Sequence, residues 1–344
     1  MTFLPFDQLL PTNYLSACLN NTSATYKYYW LLTILDSIES GTYTISKKNL
    51  FAGMITNAWY TVNYFNISFG QFDLIQRAIE EIKDIEGITI DESKDKIFSK
   101  LLTSKNLKTN KLLVHFDKQV PHWFLSPWYP GIKNTKEIYD LSQSSFNIPL
   151  YRLYKDRIEI LDQWIPYLQK HIRLLRDYIY WNLALFLQVR NPNVPDIPNK
   201  LIKPVLRSSL LKERKFWDFV FEVNGPQKCI YTGKELFIGQ YHVEHFIPYS
   251  FVSHNQIWNL IPADKTYNLQ KNNKIPRLDK FYNSFFELQN LAVETYRINR
   301  PKEKFLQDYF NVGTDISIGL DRKKFFEIIN PLVTIASNNG FQYL

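Results

Sequence analysis

With 344 residues the chain has ample length to bury a core in one large domain or two unequal ones, so folding needs no disulfide framework. Two cysteines, Cys18 and Cys229, exclude the cross-linked scaffold of a small secreted protein and fit a reducing cytoplasm. The 41 lysines and arginines outnumber 33 acidic residues, and the formal charge of +8 favours a polyanionic partner.

Residues 1–7 lack a basic segment ahead of an apolar run, and the most apolar stretch, 178–189, is interrupted by Asn182 and Gln188. Neither a secretion signal nor a membrane span is expected. Leu31, Ile34, Leu35 and Ile38 fall at i, i+3, i+4 and i+7 after the candidate caps Ser23 and Thr25, which predicts a helix stopped by Gly41. A second amphipathic helix is expected over 73–86, with Ile75, Ile79 and Ile82 on one face before Gly87. Seven lysines between positions 94 and 118 are scattered among apolar residues, a pattern of solvated helix faces or, alternatively, of a phosphate-contacting surface.

The clearest periodicity runs through Leu161, Trp164, Leu168, Ile172, Leu175, Ile179, Leu183 and Phe186 and predicts a long central helix, bent or broken near Pro166. It ends at Arg190, because Pro192, Pro195 and Pro198 cannot continue it. The expected organisation is a helical region over 1–190, a proline-rich linker over 191–200 and a second region over 201–344. In the last, residues 202–223 read as a helix-rich entry and a strand-forming stretch runs from Gly225 to about Ala263. Helical patterns return from Asp264, over 281–297 and over 322–335, the last with a break at Pro331. The predicted fold class is mainly α with a small α+β module.

That module holds the informative residues. Residues 241–247 have the β-branched and aromatic content of a strand, which Pro248 and Ser250 end. Residues 259–261 suit a short return strand, and Asp264 suits the N-cap of a helix carrying Asn268 and Lys271. In this order of strand, loop, strand and helix, Asn259 follows His245 by fourteen residues and Asn268 follows it by twenty-three. Strict alternation would send Glu244 and His245 to opposite faces, so a site using both must sit at the strand end.

This combination, with Pro248, Ser250, Leu260, Lys271 and Pro276 around it, resembles the HNH, or ββα-metal, endonuclease family over residues 228–276. The offsets are similar to those of the HNH domain in RNA-guided CRISPR effector nucleases. The resemblance implies hydrolysis of phosphodiester bonds in nucleic acid, DNA ahead of RNA. It implies Glu244 and Asn268 as ligands of Mg²⁺ or Mn²⁺, since a hard ion suits carboxylate and amide oxygens. His245 would be the general base, an imidazole able to take a proton from water at neutral pH. Asn259, in the same catalytic set, would orient His245 or pin the loop. His242 reads as an additional ligand, a substrate contact or an ordinary strand histidine. Lys271, Lys265, Lys274 and Arg277 read as nucleic-acid contacts, with exposed charge as the alternative for the last three.

Two features depart from the family. Many relatives carry Asp where Glu244 stands, and many bracket the module with paired CxxC motifs for zinc. Here Thr232 stands where the second cysteine would follow Cys229, and no cysteine lies downstream, so four-thiolate zinc is excluded. The resemblance suggests prokaryotic restriction or antiphage defence, with residues 1–190 selecting substrate, mediating a homodimer or protein partner, or restraining the cutter. Other classes remain open: a nucleic-acid-binding protein that no longer cuts, and a subunit silent until a partner activates it.

Overall fold

The computed structural model describes residues 4–20, 22–203, 209–312 and 318–344. The chain divides into two compact units, residues 1–192 with 200–203 and residues 193–199 with 204–344. The proline-rich stretch is therefore shared between them.

In the first unit the helical spacing is realised as α1 (Tyr26–Glu39), whose core side includes Trp30, Leu31, Ile34, Leu35 and Ile38. It packs on α2 (Lys47–Asn63), where Gly53 permits close approach because a Cβ there would overlap Thr33. Helix α3 (Leu74–Glu86) starts at Asp73, whose carboxylate accepts from Ile75 N at 2.9 Å, and stops at Gly87 with φ +58°. The long α4 (Trp164–Arg190) is unbroken. Pro166 sits in its first turn, where the N–H that proline lacks would have no intrahelical acceptor anyway.

This unit is not purely helical. Strands β1 (Thr44–Ser46), β2 (Tyr151–Leu153) and β3 (Arg157–Ile160) form an antiparallel sheet in the order β1-β3-β2, with Ile45 and Leu153 both in register with Ile158. Strands of three or four residues are too short to show alternation in sequence, and β1 is completed by a partner more than a hundred residues away.

The second unit begins its described helical part at α5 (Leu211–Asn224); residues 204–208 of the expected helix-rich entry lie outside the described residues. Short strands β4 (Gln227–Lys228) and β5 (Glu235–Leu236) form a hairpin. Next come β6 (Tyr241–His245), β7 (Leu260–Asp264) and α6 (Lys265–Lys271), the expected strand, loop, strand and helix. The β6 and β7 strands are antiparallel, with Glu244 opposite Ile261 and His245 opposite Leu260.

Packing braces this hairpin and helix. Phe246 stacks on Phe285 of α7 (Leu278–Asn299) with ring centres 3.8 Å apart. On the same helix, buried Gln289 donates to Leu260 O at 2.9 Å and accepts from Tyr309 OH at 2.6 Å. Around the turn after β4, the Cys229 sulfur accepts from Asp264 N at 3.4 Å, and Tyr231 stacks on Tyr267. Helix α8 (Arg322–Asn338) passes through Pro331 without the expected break. Phe325, Ile329, Val333 and Ala336 bury a continuous stripe across it while Pro331 itself is exposed, so tertiary packing outweighs the lost hydrogen bond. Among the described residues no helix is long and apolar enough to cross a membrane.

Candidate active site

The end of β6 is fixed by one buried side chain. Asn259 closes a short turn before β7 and is fully buried. Its Oδ1 accepts from Ile247 N and its Nδ2 donates to Ile247 O, both at 2.8 Å, while its own carbonyl accepts from Phe246 N at 2.8 Å. The strand therefore stops at His245 rather than at 247, because the Ile247 backbone is satisfied by an amide side chain. In this geometry both polar atoms of the Asn259 side chain bond the loop backbone at Ile247.

His245, the last residue of β6, is half-buried and sits edge-on to Tyr249. Its Nε2 lies 2.9 Å from Asn255 Oδ1. Burial pushes the imidazole down to about 4, with the Lys271 charge acting the same way and the Asn255 bond opposing it. The ring is therefore neutral at pH 7, the state a proton acceptor needs.

Glu244 precedes it and is only 8% exposed. Its Oε1 lies 2.5 Å from the Lys271 ammonium, which also donates to His245 O at 2.9 Å. Burial raises the Glu244 carboxyl and lowers the Lys271 ammonium, and each partner's charge offsets the other's penalty. Lys271 was expected beside Asn268 as a phosphate contact. Instead α6 turns it inward beneath β6, where it is fully buried, so this geometry withholds its charge from solvent.

Asn268 and His242 form a second cluster. Asn268 Nδ2 lies 3.4 Å from His242 Nδ1, and the two share a cavity of about 290 Å³ with Ser209, Leu210, Leu211, Arg214 and Val243. The His242 imidazole is pushed down by burial, helped by the charges of Lys265 and Arg214. Helix α6 is aimed by Asp264, which caps it by accepting from Tyr267 N at 3.0 Å and pairs with Lys234. Of the remaining expected nucleic-acid contacts, Lys265 is exposed and donates to Gly239 O, Lys274 is exposed, and Arg277 is paired with Asp279 at 2.8 Å.

Among the described residues no three His, Cys, Asp or Glu side chains converge as a metal cage. The donors nevertheless fit a hard divalent cation that keeps most of its water shell, because a carboxylate at Glu244 and an amide oxygen at Asn268 are the ligand types such an ion takes. Asn268 presents its nitrogen to His242. Asn255 and Arg214 carry no signal in a single sequence, since their roles arise from a loop and a helix folded against β6.

Residues 229–277 match the family model of HNH endonucleases. No curated protein and no solved structure matches the chain. The strand, loop, strand and helix that build this site are therefore the part of the chain that is similar to HNH endonucleases, over residues 229–277.

Proposed function

We propose that this module hydrolyses phosphodiester bonds in DNA, with Glu244 and Asn268 holding Mg²⁺ or Mn²⁺ and His245 acting as general base. The observation that carries this reading is the preorganised end of β6: Asn259 clamps Ile247, Asn255 holds the His245 ring, and that ring is neutral at pH 7. A positioned neutral imidazole takes the proton of an attacking water. The bound cation supplies Lewis-acid relief of charge on the phosphate and the leaving oxygen. Exposed Lys265 and Lys274 supply backbone contacts that position without reading sequence.

In this reading residues 1–192 select substrate, bind a partner or restrain the cutter, in cytoplasmic restriction or antiphage defence. A second reading is favoured by the buried Lys271–Glu244 pair, which occupies a carboxylate oxygen wanted by the cation. In it the module binds nucleic acid but stays silent until a partner or substrate rearranges that pair. Incubating supercoiled plasmid with the protein and Mg²⁺, Mn²⁺ or chelator tests the first reading: nicking with metal and none with chelator is expected. No nicking under any metal condition overturns it for the isolated protein, and cleavage restored by an added partner supports the second.

A further inference from the structure

The cavity beside Asn268 has an unusual wall. One side comes from β6 and α6, inside the family-matched segment, and the other from Ser209, Leu210, Leu211 and Arg214 at the start of α5, outside it. Among the described residues its polar lining is a guanidinium, an imidazole, an amide and a hydroxyl, with no carboxylate. Such a set complements an oxyanion rather than a cation.

Arg214 is held in place, and among the described residues its guanidinium forms no ion pair. One terminal nitrogen donates to Tyr241 O at 3.0 Å, and the guanidinium lies 5.3 Å from the centre of the Tyr241 ring. That ring is itself anchored, its hydroxyl bonded to Asp218 Oδ1 at 2.7 Å. A guanidinium has five N–H donors, and a single carbonyl engages only part of them.

We propose that Arg214 is a phosphate anchor, seating in this cavity a backbone phosphate of the DNA strand adjacent to the one being cut. The anchor rests on the nuclease reading for its purpose but not for its test. Because Asn268 belongs both to this lining and to the proposed cation site, a phosphate held by Arg214 would lie beside a residue proposed to hold the ion.

The test is equilibrium binding of a fluorescent DNA duplex to the full chain in chelator, over a salt series. Arg214→Gln is expected to weaken binding about tenfold or more and to reduce the log–log salt slope by about 0.9. Arg214→Lys should restore the slope but only part of the affinity, because an ammonium lacks the planar fork. Ser209→Glu, which leaves the Tyr241 contact intact, should weaken binding with an unchanged melting temperature. Unchanged affinity and slope in a folded Arg214→Gln variant overturn the proposal. So does a loss that lysine does not relieve while Ser209→Glu binds normally, since Arg214 would then act only by supporting Tyr241. If the plasmid is never cut yet these binding changes appear, the anchor stands and the nuclease reading falls; if it is cut and binding is indifferent to Arg214, the reverse holds.

Discussion

The ammonium of Lys271 lies 2.5 Å from Glu244 Oε1, in a pair whose side chains are 0% and 10% exposed. Removing one partner of a buried pair strands the other charge and typically costs about 3–5 kcal/mol. Here the stranded group would be a proposed cation ligand, and under that proposal Lys271 and the cation would compete for the same carboxylate. Lys271→Met keeps the aliphatic stem and removes the charge. We expect it to lower the melting temperature in chelator and to gain more from added Mg²⁺ than the wild type does, since ligand binding to the folded state stabilises it. Equal Mg²⁺-induced shifts in the two proteins would show that Glu244 does not exchange one cation for the other.

His245→Ala removes the proposed base and leaves the basic surface alone. Cleavage should fall by about 10²–10⁴-fold, the usual contribution of a general base, with duplex binding nearly unchanged. Asn255→Ala keeps the base but frees its ring, and a loss of about 10–100-fold is expected, as for other groups that orient a catalytic side chain. Nicking at wild-type rate by His245→Ala would remove the residue from the mechanism.

Asn268→Ala should shift the Mg²⁺ dependence of cleavage to higher concentration. It removes an amide oxygen from an ion that has few protein ligands to lose. A Mg²⁺ titration superimposable on the wild type would take Asn268 out of the ligand set, and direct calorimetric titration of Mg²⁺ into the two proteins provides a readout independent of activity.

The HNH segment is legible in sequence because its signals are local. The β6 content, the cap at Asp264 and the spacing from His245 to Asn268 all lie within one short stretch, and the hairpin and α6 follow them. The helices over Tyr26–Glu39, Leu74–Glu86 and Trp164–Arg190 are legible for the same reason, since each shows its own buried face and stop. What sequence withholds depends on docking between distant residues. Lys271 looks like a substrate contact until α6 is placed under β6 and turns it toward Glu244. The β1–β3 pairing joins Ile45 to Ile158, and Pro331 looks like a helix end until the stripe from Phe325 to Ala336 is seen to bury on both sides of it.

Asn259 offers a stability test of the same site. It is fully buried, and its amide satisfies both the N–H and the C=O of Ile247 at 2.8 Å. Alanine would leave a donor and an acceptor without partners where water has little access, at about 1–3 kcal/mol each. Asparagine to aspartate keeps the acceptor for Ile247 N but turns an oxygen toward Ile247 O and buries a charge, so it should be at least as damaging. Both variants should show a lower denaturation midpoint with an unchanged slope against denaturant, the signature of lost stability rather than a changed denatured state. Cleavage should fall further than the folded fraction does, because the clamp also fixes the strand end that carries His245. A variant that is destabilised but cuts normally per folded molecule would separate the loop clamp from the chemistry and leave Asn255 as the contact that holds the base.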